Sequence, residues 1–441
     1  MTNCNSQAVQ SCVPPTAALM DTPRAGLPSG PLTTYLAFAL SGAGCGLFVM
    51  NSLFNLLANV RETQQDGRMY GTFSMLGGAV GMAVSGVFFL QKLVRPRLPI
   101  AVEQGATLCL ILAQFACFTV LALNWQARPP DYPVIVGAAA VGQIIPCLTY
   151  FIMFPLLSTY YGGWLIAPVR AGTDISSLIT TLAAEFQNPT GSRNRFPSRL
   201  LFATYAMLSL IACGAWLWIL RTGAGLRGDV QSSGLDGKKE QSEEEEEERQ
   251  PASSWTLRGF ACPRSLLGPV MGGTLVQVVQ WDVAVNVMMI GASMTDPDGC
   301  DGPQGAFVNR TALTSAWVLV PLGSLISSLA PCARRTFYAL TFLQLVSLAF
   351  ICGAVFGTPR SFWVTWQGQL LYMLSITVCG GLEGYVTTMA YRYLGDAEGV
   401  PLSLRQSASS LLSLLSVVVI NPIGIVVGWL ISTGRIACRD P

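Results

Sequence analysis

The chain has 441 residues, of which 51% are hydrophobic and 11% charged, against roughly 25% charged in an average soluble domain. Eight of its 24 acids lie between Asp236 and Glu248, so the rest of the chain is poorer still in charge. So few charges cannot cover a water-soluble globule of this length; a soluble enzyme and a disordered protein are excluded, and lipid is the solvent for most of the chain. A net charge of +2 points to no nucleic acid or other polyanion as partner.

Residues 1–31 hold five prolines and one basic residue, Arg24. No basic stretch leads into a short apolar core, so this segment reads as a flexible cytoplasmic tail rather than a signal peptide. Runs of about 20 apolar residues, the length that crosses the hydrocarbon, follow at roughly 32–59, 70–91, 100–123, 133–157, 163–186 and 199–221. Five more lie at 264–292, 311–331, 335–357, 363–389 and 402–431. The expected fold is therefore all-α: a polytopic membrane protein of about eleven transmembrane helices in a 6+5 two-bundle transporter arrangement.

Residues 222–263 are of different material. The stretch from Gly237 to Ser254 is polar and rich in Glu, cannot bury enough surface to fold alone, and reads as a disordered acidic cytoplasmic linker. It separates an N-terminal six-helix bundle, 32–221, from a C-terminal five-helix bundle, 264–431, with 432–441 as an extracellular tail. With the N-terminus in the cytoplasm, the inner segments carry fifteen Lys and Arg and the outer ones ten, leaving Arg170 within the membrane; this bias sets the orientation in the plasma membrane. Cys300 and Cys438 are then the only cysteines on the outer side, where oxidising conditions permit a bridge. Asn309-Arg310-Thr311 is a glycosylation triplet on that side, though its closeness to the eighth span disfavours occupancy.

The chain contains no histidine, which removes the usual general base and metal ligand. Most of the 13 cysteines lie in apolar runs and none form a CxxC pair, so no metal or redox centre is expected. No nucleotide-binding, hydrolase or dinucleotide fingerprint is present, and neither is a channel filter or voltage-sensing helix. A carrier that is not an enzyme, needs no cofactor, and acts on a small molecule as a monomer in the bilayer remains.

Ionisable groups persist in lipid only where they face a cavity or each other. Arg170 and Asp174, at i and i+4 in the fifth span, are placed for an ion pair; neutralisation and a substrate role both stay open. Asp282 in the seventh span and Glu383 in the tenth have no basic neighbour in sequence, and are candidates for carrying a proton or coupling ion. The first spans of the two halves mix amides with aromatics: Asn51, Phe54 and Asn55 in one, Gln277, Gln280 and Trp281 in the other. In two-bundle transporters the site lies between the halves, whereas such groups can equally serve as interhelical glue. Gly77, Gly78 and Gly81, and Gly380, Gly381 and Gly384, read as close-packing points.

Several segments, in order, resemble the eukaryotic riboflavin transporters. They are Phe154-Pro155-Leu156-Leu157-Ser158; Gly172 with Ser176, Ser177 and Leu178; Arg195-Phe196-Pro197 with Phe202; and Gly381, Gly384, Tyr385 and Val386. The acidic linker and the placement of Cys300 and Cys438 are also similar. Departures are clear: the family's acid in the first span is Leu56 here, its helix-four Asn and Thr correspond to Tyr150 and Ile152, and its helix-five Gln to Thr173. The resemblance implies a divergent member that takes up riboflavin by alternating access, facilitated or weakly ion-coupled. It adds Thr173, Asp174 and Tyr385 to the expected substrate contacts. A flat isoalloxazine ring would stack on Phe54 and Trp281, and the amides would bind its polar groups. An equilibrative nucleoside or nucleobase carrier, or a membrane scaffold or receptor acting through the linker, are the alternatives.

Overall fold

A computed structural model describes residues 32–46, 48–59, 67–125, 132–187, 195–227, 260–280, 295, 303–356 and 360–432. Among the described residues regular structure is helical apart from isolated bridges, such as the antiparallel one between Tyr161 and Leu226. In chain order the helices are α1 (Leu32–Ala43), α2 (Phe48–Asn59), α3 (Gly67–Val94), α4 (Ile100–Asn124), α5 (Tyr132–Leu148), α6 (Phe154–Tyr160), α7 (Ile166–Gln187) and α8 (Ser198–Thr222). Then follow α9 (Arg264–Val278), α10 (Pro303–Leu329), α11 (Arg334–Phe356), α12 (Arg360–Trp363), α13 (Trp366–Gly395) and α14 (Leu402–Ser432). Seven segments among the described residues are long and apolar enough to cross a bilayer. Large apolar side chains such as Phe342 (67% exposed) and Leu123 (61%) point outward, as they would toward acyl chains rather than water. The chain is a multi-pass membrane protein.

Where residues are described, the helices follow the expected spans with three local differences; 281–292 of the seventh span lie outside the described residues. The first span is two helices, broken at Gly44-Cys45-Gly46. Backbone carbonyls freed by a break in lipid must find donors, and here other helices supply them. Gln114 Nε2 of α4 donates to Ala43 O (3.2 Å), and Thr149 Oγ1 donates to Cys45 O (2.8 Å). The fourth span is α5 and α6 joined by a π-helical turn, Thr149–Met153. Pro155 lacks an N–H and its ring would collide with the carbonyl one turn earlier, and the wider turn relieves this. The eighth span starts at Pro303 rather than near 311, so the backbone of Asn309 is helical and not in a loop.

Two seams join the halves. One is α3 on α14, where a Cβ at Gly81 would sit 2.3 Å from Asn421 Oδ1 and one at Gly78 would sit 2.8 Å from Asn421 O. The other is α7 on α10 and α13. Gly380 and Gly384 act within the second half, laying α13 against Ala316 and Val320 O of α10. The largest apolar core runs through both halves, with Phe38, Phe154, Tyr161 and Trp216 from the first and Val270, Tyr391, Leu394 and Leu412 from the second. The rings of Phe154 and Tyr391 stack with centroids 5.0 Å apart. The linker core 228–259 and both tails lie outside the described residues.

Candidate substrate path

At the middle of the α7 seam three charged side chains meet. Arg170 Nη2 donates to Glu383 Oε1 of α13 at 2.5 Å, and Arg170 Nε lies 3.1 Å from Asp174 Oδ2. Their side chains are 2%, 0% and 4% exposed, so all three are removed from solvent and lipid alike. Ser324 Oγ of α10 donates to Asp174 Oδ2 (3.4 Å), and Thr387 Oγ1 donates to Glu383 Oε1 (3.4 Å). The Tyr150 ring lies 5.4 Å from the guanidinium carbon, a favourable cation–π distance. The i, i+4 pair is present as the spacing suggests. The partner of Glu383 is 213 residues away in sequence, which is why no local reading could find it.

The other expected contacts are distributed around this cluster. Asn51, half-buried on α2, donates from Nδ2 to Ser177 Oγ of α7 at 2.5 Å. Thr173 turns its hydroxyl to Arg170 O (2.7 Å), so that donor is engaged within its own helix. Gln277 and Gln280 are buried, at 1% and 4% exposure. Among the described residues Gln277 Nε2 and Gln280 Oε1 have no hydrogen-bond partner, and neither does the nearby Thr274 Oγ1. Unpaired buried amide atoms are costly, and a polar solute could satisfy them. Tyr385 donates to Ala330 O at 2.6 Å; two residues from Glu383 on a helix, it projects from a different face. The side chains of Phe54, Asn55 and Asn309, and all of Trp281, Asp282, Cys300 and Cys438, lie outside the described residues.

A polar stripe on α14 was not among the expected site residues. Gln406, Ser409, Ser410, Ser413 and Ser416 are all buried. Gln406 Nε2 donates to Glu103 Oε1 of α4 (2.9 Å), Ser409 bonds Ser158 of α6 (2.7 Å), and Ser413 bonds Tyr391 (2.7 Å). The spacing of three and four in an otherwise apolar run was the available signal. Hydroxyls in an apolar helix generally bond their own backbone, which hid the cross-helix role.

One end of the molecule is tied across the halves. The segment after α8 folds back, with Gly223 and Gly225 at φ of 63° and 80°, values glycine adopts without a Cβ clash. This brings Arg227 between the two halves. Its Nε donates to Tyr161 O (2.8 Å) and its Nη2 to Gly395 O (2.7 Å), with Asp396 Oδ1 at 3.5 Å. Tyr35 of α1 bonds Ser328 of α10 at the same end (3.1 Å). Gln104 Nε2 donates to the Tyr161 hydroxyl (2.8 Å); burial pushes that phenol upward in pKa, so it stays neutral.

This arrangement is similar to solved transporters. A major facilitator superfamily proton:xylose symporter bound to 6-bromo-6-deoxy-D-glucose superposes with a TM-score of 0.54 at 12% identity, over 92% of this chain and 96% of that one. An outward-facing bacterial homologue of the iron transporter ferroportin gives 0.50 at 13% identity, over 91% and 97%. No protein-family profile matches the sequence, and no curated protein does. The chain shares the all-helical fold of these proteins.

Proposed function

We propose that this protein is a membrane carrier that moves a small uncharged solute by alternating access, and that the solute is riboflavin or a related planar heterocycle. One observation carries the reading: beside the apolar core they share, the halves are bridged by buried polar and ionic contacts. Glu103–Gln406, Ser158–Ser409, Arg170–Glu383 and Arg227–Gly395 all bridge first-half and second-half elements. Burying ions and amides between two bundles is expensive for a static scaffold, for which apolar packing would serve better. Such contacts suit surfaces that part and rejoin. The major facilitator fold supports the same mechanism.

The chemistry of the seam supports the solute class. Arg170, buried in α7 between the halves, already holds two carboxylates, which argues against its serving an anionic cargo. Gln277, Gln280 and Asn51 offer amides to a neutral one. The sequence resemblance supports riboflavin within that class, and the fold alone does not select it. On this reading the Arg227 end faces the cytoplasm, following the basic bias of its segments.

The test is counterflow of labelled riboflavin in proteoliposomes of the purified full-length chain. Saturable uptake competed by lumiflavin and not by adenosine is expected. Asn51→Ala and Gln277→Ala should raise KM roughly three- to tenfold, since losing a hydrogen bond costs about 1 kcal/mol. Competition by adenosine alone would reassign the cargo to nucleosides, and absence of counterflow for both would defeat the carrier reading.

A further inference from the structure

We propose that Gln114 and Gln344 are a matched pair of positioning residues: each ties the interrupted first span of its half to the third span, and so fixes the backbone that presents the solute-binding amides. The inference deepens the carrier reading, and its consequence for transport rests on that reading.

The two contacts repeat one another. In the first half Gln114 of α4 donates from Nε2 to Ala43 O, 71 residues back, at the Gly44-Cys45-Gly46 break (3.2 Å). In the second half Gln344 of α11 donates from Nε2 to Val276 O of α9, 68 residues back (3.1 Å). That carbonyl lies where α9 ends at Val278 and the chain widens into a π-helical turn at Val279 and Gln280. Each amide also engages a second acceptor. Gln114 Nε2 donates to Ser209 Oγ of α8 (3.3 Å), whose own proton goes to Tyr205 O (3.0 Å). Gln344 Nε2 donates to Cys379 O of α13 (3.4 Å). Acceptors hold each NH2 group, which fixes the orientation of the amide.

The oxygen end of each amide shows that the donor end is what matters. Both residues are 0% exposed, and among the described residues Gln114 Oε1 and Gln344 Oε1 have no hydrogen-bond partner. An unpaired buried oxygen is costly, and leucine or methionine would fill similar space without it. What offsets that cost is the NH2 group, which serves backbone that lipid leaves unserved. The same backbone carries the proposed contacts. Val276 O belongs to the peptide plane that joins Val276 to Gln277, and Gln280 follows within one turn. Holding that plane sets the direction in which both amides leave the chain. Ala43 O belongs to the first peptide of the break, which sets the course of α2 and with it Asn51. The bond to Cys379 O adds α13, one turn before Glu383, which accepts from Arg170. Both glutamines act through the main chain rather than on the solute.

Hydrogen–deuterium exchange of the purified full-length protein in lipid nanodiscs tests the tie without any solute. Gln344→Met keeps the length of the side chain and removes the donor. Amide exchange over 276–280 should quicken roughly two- to tenfold, the effect of one lost hydrogen bond on a local opening. Gln114→Met should do the same over 44–46. Gln91→Met, whose amide bonds Arg95 O at the end of its own helix, should alter neither stretch. In proteoliposomes Gln344→Met and Gln114→Met should each raise the KM for riboflavin counterflow roughly three- to tenfold with kcat unchanged, because the solute and its transition state lose the same contacts. A merely structural loss would reduce the active fraction, and so kcat, instead. Folding is checked by circular dichroism; should either variant fail to fold, the other decides, with Gln344→Asn, which shortens the reach of the donor, as the milder substitute. A folded variant whose exchange matches the wild type overturns the tie. Faster exchange with an unchanged KM, or a fall in kcat alone, overturns the positioning role. Absence of wild-type counterflow would fault the carrier reading and leave the exchange result to decide the tie.

Discussion

Single side chains in this protein often serve backbone that lipid cannot serve. Thr149 shows this most clearly, with one hydroxyl shared between Ile145 O of its own helix and Cys45 O at the α1–α2 break, both at 2.8 Å. Thr149→Val keeps the shape and removes the donor, leaving a buried carbonyl unpaired. The loss should be about 1 kcal/mol, read as a lowered melting temperature in detergent. Thr222→Val, whose exposed hydroxyl bonds only within α8, should stay within about 0.5 kcal/mol of wild type. Equal melting of the two variants would remove Thr149 from the support of the break. The break itself was only half legible. Gly44-Cys45-Gly46 marks a weak point, but the run from 32 to 59 is mostly apolar on both sides of it, and the donors that permit a break sit 71 and 104 residues further on. Arg170 was legible as a buried ion and as a partner for Asp174. Its bond to Glu383 was not, because it depends on how α7 and α13 meet in space.

At the scale of elements, glycine patterns were readable because close approach has a local signature, small residues at spacings of three and four. Gly78 and Gly81 meet Asn421, while Gly380 and Gly384 meet α10. The pattern cannot say which helix approaches, and the two sets serve different purposes: one joins the halves and the other builds the second half. Gly81→Leu should wedge α3 from α14 and cost about 1–3 kcal/mol. Gly86, on the same helix, has nothing within 4 Å of a built Cβ. Gly86→Ala should therefore be neutral or gain about 0.5–1 kcal/mol from helix propensity. Thermal unfolding of both variants in one detergent checks the pair; a Gly81→Leu protein as stable as Gly86→Ala would mean that α3 and α14 do not approach as described. The α14 stripe belongs to the same lesson. Its serines were visible as polar interruptions, yet only the assembled seam shows that Ser409 and Gln406 reach across to α6 and α4.

For the whole molecule, composition and apolar run length were enough to read an all-helical membrane protein, because bilayer thickness imposes a length on every crossing. The proposed cargo contacts are a handful of amides and rings whose register no such constraint fixes. The seam has a further consequence for biogenesis. Gln406 and Ser409 of the second half bond Glu103 and Ser158 of the first, so each half matures with the other's help on this reading. Cut between 237 and 238, the two fragments should be degraded when produced singly and accumulate when co-expressed, each acting as the other's chaperone; equal yields alone and together would show that either half can mature unaided. In that sense the polypeptide behaves as an obligate heterodimer whose subunits happen to be translated in one reading frame.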